Sequence, residues 1–326
     1  MSSEKTTLDL KDKKILYELD KNSRESLKII GKKVGLSKNS VKYRITQLEK
    51  SGVIKSYHAV IDLGKLGYLN FRLYLNLQNT TLEKEKEIID FLKKQGIVNY
   101  IAYSDSEYNL IVEIITKNII EMYNLWDQLL NKYVNYISER LLTINITSTS
   151  FYRDYLIEKP KEVYEIKTSK TRAEFKLDNL DLDIIKILSK DAKTQIINMA
   201  TKLKVTEKTI ITHLRTLESQ KIIVAYRTCF DLEKLGYKGY KLRFLLQKIT
   251  EKESNELINY VKKHPNVISR DESLGGSDFE IDIEVKDDTE LSGLLDDIRK
   301  KFGEFIQDYQ ILSINKEHKN VFFVSK

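Results

Sequence analysis

The residues best placed to do chemistry lie on one segment. From Ser37 to Lys50 the chain reads SKNSVKYRITQLEK. Val41, Ile45 and Leu48 fall at helical spacing and make one apolar stripe. Lys38, Asn39, Ser40, Lys42, Tyr43, Arg44, Gln47 and Lys50 fall on the opposite face or its flanks. Lys and Arg neutralise phosphates or read guanine, and Asn and Gln read adenine edges. For an isolated helix, a solvated face explains the same pattern. The preceding residues argue for more. Ser26 to Val34 has the spacing of a short amphipathic helix, Gly35 suits a tight turn, and Ser37 is a good N-cap. Helix, turn and capped helix together form a helix-turn-helix signature.

The same layout returns in the second half. Leu8 to Gln78 aligns without a gap onto Leu177 to Gln247. LDLKDKKIL matches LDNLDLDII, and DLGKLGY matches DLEKLGY. A period this long is a duplicated module, not a solenoid repeat. The counterpart of the first recognition segment is Thr206 to Ser219, whose outer face offers Lys208, Thr209, Thr212, His213 and Arg215. Ile211 replaces Lys42, and His213 replaces Arg44. The first segment carries a net charge of about +3 and the second about zero, so the second should contact DNA more weakly. Lys204 replaces Gly35, which requires a turn without glycine.

Each trihelical unit is followed by a change of period. In the first copy the order is strand (71–78), helix (82–94), strands (98–103 and 108–116), helix (119–133) and strand (137–147). The second copy repeats it from Tyr240 to Asn315. This is the ferredoxin-like βαββαβ order. The expected class is α+β, with two winged-helix/helix-turn-helix domains alternating with two ferredoxin-like domains. The expected boundaries are 1–62, 63–150, a charged linker with Pro160 at 151–176, 177–231 and 232–326. Tyr123, Trp126 and Leu130 share helical spacing and should pack in the core. The two split sheets should pack on one another within the chain, because each leaves a face to cover.

Composition bounds the function. The 326 residues carry a net charge of +7, and the pI is near 9.0, which favours an acidic partner. The excess sits in the first copy. Cys229 is the single cysteine; it rules out an internal disulfide and reads as a buried thiol. His58, His213, His264 and His318 lack metal-ligand spacing, so no metal is expected, nor any cofactor. No apolar run reaches membrane-spanning length, and the chain reads as cytoplasmic, with the nucleoid as its place of work.

The motifs LDxxDxxIL, VGLSxxSVxYRIxxLExxGVIKSYHAVID and LGY closely resemble the Lrp/AsnC family of transcription regulators. The resemblance covers nearly the whole chain, twice. It implies double-stranded DNA as partner and a sensing (RAM) domain after each helix-turn-helix. It also implies pairing through the sensing sheets and an amino-acid-like effector near a Gly-x-x-Asp-like turn. That turn is Gly275, Gly276, Ser277 and Asp278 in the second copy. In the first, Asp105 takes the glycine position and Glu107 that of the aspartate. A plain hairpin turn explains Gly275-Gly276 equally. One chain should then act as a built-in pseudo-dimer, with oligomers of the tandem chain expected. Two alternatives remain open: a siroheme decarboxylase-like enzyme, which Lrp-like pairs also form, and a ligand sensor that does not bind DNA.

Overall fold

The computed structural model describes residues 8–157, 165–168 and 175–323. The first trihelical unit is α1 (Leu10–Lys21), α2 (Leu27–Val34) and α3 (Lys38–Lys50). Asp9 and Asp12 close a capping box at the start of α1, and Ser26 and Ser37 cap α2 and α3. Gly35 ends α2 with φ +68°, where a side chain is strained. Ile15, Leu16, Leu19, Ile30, Val34, Val41, Ile45 and Leu48 form the core of this unit. After it come β1 (Ile54–Ile61), β2 (Leu69–Leu77), α4 (Leu82–Lys94), β3 (Val98–Tyr103), β4 (Leu110–Thr116), α5 (Ile119–Tyr133) and β5 (Ile137–Ser150).

The second half begins with the two-residue β6 (Ile166–Lys167) and then repeats the order. Its elements are α6 (Asn179–Lys190), α7 (Ile196–Leu203), α8 (Glu207–Ser219), β7 (Ile223–Phe230), α9 (Leu232–Leu235), β8 (Lys238–Leu246), α10 (Glu251–Lys263), β9 (Val267–Leu274), β10 (Phe279–Val285), α11 (Asp288–Phe302), β11 (Ile306–Ile314) and β12 (Lys316–Asn320). Lys204 makes the α7–α8 turn in the left-handed region, φ +56°. The class is the expected α+β alternation.

Each ferredoxin-like sheet carries its helices on one face. Phe71, Leu73, Leu75, Val112 and Ile114 pack against Ile88, Leu92, Leu125 and Leu129 of α4 and α5. Leu242, Phe244, Ile281 and Ile283 pack against Leu257, Val261, Leu294 and Ile298 of α10 and α11. Tyr123 departs from expectation. It is 62% exposed, while Trp126 and Leu130 lie against the core.

The strand order is β11-β8-β10-β9-β5-β2-β4-β3-β12. Strand β5 pairs with β2 over Ile137–Asn145 and with β9 over Ile144–Ser150. Strand β12 continues from β11 and pairs with β3. In a flat sheet, β2 and β10 would lie three strands apart, about 14 Å at the usual strand spacing. Yet Arg72 of β2 reaches Glu280 of β10 at 3.0 Å. The two sheets therefore face each other, sewn together by one long strand run from each copy. The segment expected as a linker is partly structural: Phe151 belongs to the second sensing core and β6 pairs with β5. Its residues 158–164 and 169–174 lie outside the described residues.

Candidate nucleic-acid interface

Helix α3 buries Val41, Ile45 and Leu48 against α1 and α2, which turns its other face outward. Lys38, Asn39, Ser40, Lys42, Tyr43, Gln47 and Lys50 are all exposed. Tyr43 is 66% exposed among them. Arg44 departs from the sequence expectation. Its guanidinium bridges Asp9 Oδ2 at 2.8 Å and Asp12 Oδ1 at 2.7 Å. It latches α3 to α1 instead of standing free for a phosphate. The Asp9 carboxyl is held below its ordinary value, first by the Asp12 N–H and then by Arg44.

Helix α8 is built the same way on Ile210, Leu214 and Leu217. Lys208, Thr212 and Arg215 are exposed. Thr209 is half-buried and shares a hydrogen bond with Thr206, and Thr212 donates back to the Lys208 carbonyl. His213 stands where Arg44 does, with Nδ1 2.7 Å from Asp181 Oδ1. The sequence reading missed these Asp-x-x-Asp latches. Their signal was the repeat itself, which keeps both aspartates while changing their partner.

The two heads are fixed to each other. Strands β1 and β7 pair antiparallel across the copies. The Ser23 N–H donates to the Tyr226 carbonyl, and the Ala192 N–H donates to the Tyr57 carbonyl, each at 3.0 Å. Lys193 lies 3.8 Å over the Tyr57 ring, and Arg24 lies 5.2 Å over Tyr226. Tyr57 donates to Glu49 and Tyr226 to Glu218, so each ring ties a recognition helix to the ladder. Burial pushes the Lys193 amine down despite Glu49 nearby.

Below the heads, two junctions join them to the ferredoxin-like sheets. In one, buried Asp20 of α1 accepts from Arg153 (2.7 Å) and Arg227 (2.8 Å). Arg153 also reaches Glu284 at 2.7 Å, and Tyr155 donates to Glu284. Burial alone would raise the Asp20 carboxyl, but Arg227 and Arg153 outweigh it and hold it low. The repeat places Ser189, His58, Phe322 and Ile115 at the matching positions of the other junction. There His58 stacks on Phe322 with centroids 3.4 Å apart. Burial pushes His58 down to about 3, and Arg227 adds to the shift. Burial also raises the Cys229 thiol.

The glycine turn carries more structure than the sequence suggested. Gly275 and Gly276 both take φ +84°. A Cβ at Gly276 would collide with Arg243 and lie 3.0 Å from Leu141 and 3.1 Å from Thr143. Ser277 donates to buried Glu280 at 2.5 Å. Asp278 accepts the Leu246 N–H at 2.8 Å, and Asn109 accepts the Leu77 N–H at 3.0 Å. Asn109, not Glu107, is thus the counterpart of Asp278. In the first copy the turn is bound to β11: Ser106 accepts the Ser313 N–H, Asp105 accepts from Asn315 and Glu107 accepts from Gln310.

Charged groups fill the space between the sheets. Arg72 meets Glu113, Asp271 and Glu280, Lys241 meets Asp271 and Asp282, and Arg243 meets Glu280 and lies 4.4 Å over Tyr74. A cavity of about 120 Å³ opens beside them, lined by Leu63, Tyr68, Asn70, Asn145 and Thr147.

A winged helix-turn-helix DNA-binding family model matches residues 8–55 and again 177–224. The HTH-type transcriptional regulator FL11 of Pyrococcus horikoshii is 34% identical over 120 residues, covering 37% of this chain and 78% of that protein. The HTH-type transcriptional regulator LrpA of Bacillus subtilis is 32% identical over 132 residues, covering 40% of this chain and 93% of that protein. Among solved structures, the siroheme decarboxylase NirDL overlays 95% of this chain and 93% of its own, with TM-score 0.62 and 14% identity. That likeness establishes a shared tandem fold.

Proposed function

Because the chain belongs to the Lrp/AsnC family of helix-turn-helix transcription regulators, we propose that one chain acts as a complete pseudo-dimeric reader of double-stranded DNA, with α3 carrying most of the affinity. The observation that carries this is the outer face of α3. Lys38, Lys42 and Lys50 are exposed there beside Asn39, Tyr43 and Gln47, on a helix whose other side is fully packed. The lysines meet phosphates, and Asn39 and Gln47 read base edges. Lys208, Thr212 and Arg215 make a lighter contact at the second half-site. Heads that differ favour an asymmetric site with one strong and one weak half. Footprinting on the chain's own upstream region tests this. Two identical, adjacent, equally protected half-sites on one chain would overturn it.

The effector part of the proposal is an amino-acid-like molecule contacting the exposed backbone of Gly275 and Gly276, since Ser277 and Asp278 are committed internally. Twenty amino acids, each titrated against DNA affinity, test it; no shift with any of them removes it.

The full-length overlay on a siroheme decarboxylase supports a second reading. The exposed basic face of α3, with Lys38, Lys42 and Lys50, has no role in that reading. Absorbance with an iron tetrapyrrole, set against gel shift with promoter DNA, separates the two readings.

A further inference from the structure

The carboxylates that open α1 and α6 are held alike but face different partners. At α1, Asp9 Oδ1 accepts the Asp12 N–H and Asp12 Oδ2 accepts the Asp9 N–H. The outer oxygens, Asp9 Oδ2 and Asp12 Oδ1, both take Arg44. At α6, Asp178 Oδ1 and Asp181 Oδ2 make the same two capping bonds, at 2.8 and 3.2 Å. The remaining Asp181 Oδ1 turns to α8, where it meets His213 Nδ1 at 2.7 Å. One donor atom each from Asp178, Asp181 and His213 fits within 4.8 Å of the others.

The local charge changes in the same sense. The first turn of α1 carries Lys11, Lys13 and Lys14, where α6 has Leu180, Leu182 and Asp183. The start of α1 thus has three lysines in sequence besides Arg44, and Arg44 alone takes both carboxylates. The start of α6 has three carboxylates and one imidazole, with Lys186 paired to Asp183 at 3.4 Å, which leaves Asp178 and Asp181 beside His213. One outer oxygen that takes a guanidinium in the first copy, at Asp12, meets an imidazole nitrogen in the second, at Asp181.

We propose that Asp178, Asp181 and His213 bind a divalent first-row transition metal ion. One imidazole nitrogen with two carboxylate oxygens suits Zn²⁺, Co²⁺, Ni²⁺ or Mn²⁺, and the imidazole disfavours Ca²⁺ and Mg²⁺. Three protein ligands leave positions for water, in keeping with the half-exposed surroundings. The ion does at α6 and α8 what Arg44 does at α1 and α3: it pins the recognition helix to the helix beneath it. His213 lies 32 residues from Asp181, so linear spacing concealed the set.

The test is a titration of the tag-free full chain, stripped with chelator, with Co²⁺ and Zn²⁺. Calorimetry and the Co²⁺ visible spectrum are the readouts. One equivalent should bind with a His–carboxylate signature. His213→Arg restores the latch of the first copy and should stay folded by circular dichroism, yet bind at least ~100-fold more weakly, since it loses a direct ligand. Asp178→Asn keeps the cap and should also weaken binding, which guards against misfolding of the first variant. Absence of saturable 1:1 binding overturns the proposal. So does unchanged binding by His213→Arg, which would put the ion on His264 or His318.

Discussion

The two junctions beneath the reading heads occupy equivalent places and are built from opposite materials. One joins Asp20, Arg227, Arg153, Glu284 and Tyr155 in a buried ionic network. In the other, His58 stacks on Phe322, and the repeat matches Ser189 to Asp20 and Ile115 to Glu284. Both support the same backbone, so the fold does not demand ions there. A buried ion pair is often no more stabilising than well-packed apolar groups, yet removing one member is costly. The ionic junction is the one with directional geometry. It ties α1 beneath the basic head to the end of β10, the strand that leaves the glycine turn.

Removing one member of the network is the strongest way to test the contrast. Asp20→Asn removes the carboxylate that Arg227 and Arg153 share, leaving Arg153 with Glu284, and should cost about 3–5 kcal/mol in urea denaturation. Ser189→Ala, at the matching place, removes only a buried hydroxyl and should cost less than about 1 kcal/mol. Equal losses would erase the difference between the junctions.

Acid should attack the other junction. The folded value for His58, about 3, lies below its unfolded value near 6.5. The unfolded chain therefore binds the proton first, and this contribution to stability is lost as pH falls from about 6.5 toward 3. His58→Phe keeps the stack and should gain about 2 kcal/mol over the parent between pH 7.5 and pH 5. Parallel denaturation curves at the two pH values would show that the imidazole is solvated.

The heads themselves give a smaller signal. Lys42→Ala should weaken DNA binding and make the salt slope about one unit shallower. Arg44→Ala should lower the melting temperature and leave the slope unchanged, because its charge is already spent on Asp9 and Asp12. A shallower slope for Arg44→Ala would place it on phosphate after all.

The smallest effect concerns the two turns. Gly35→Ala should lose about 1 kcal/mol, while Lys204→Gly should gain up to about 1 kcal/mol by relieving a left-handed lysine. Thermal denaturation of both variants reads the difference.

Much of this was legible beforehand for a physical reason. Periodicity marks which face of a helix is buried, so Val41, Ile45 and Leu48 and the outward face of α3 could be read directly. Alternation marked the sensing strands. What periodicity does not encode is the partner of a polar side chain. Arg44 looks like a phosphate contact on a helical wheel, and only the fold brings Asp9 and Asp12 to it. Asp278 looks like a ligand contact, and only the fold brings it the Leu246 N–H. The glycine turn was misaligned because hydrogen bonding, not residue type, makes Asn109 the counterpart of Asp278. The pairing of β12 with β3 was hidden because a short charged strand such as KEHKN lacks alternation.

That last pairing bears on how the molecule comes into being. Asn320 of β12 pairs with Tyr100 of β3, far back in the chain. When the first ferredoxin-like sheet leaves the ribosome, the edge of β3 is bare and the second sheet that balances Arg72 does not yet exist. Such an edge is a template for unwanted strand addition. Native contacts this distant in sequence slow folding and prolong that exposure. That edge therefore stays uncovered until the second half is translated, because the strand that covers it lies near the far end of the chain.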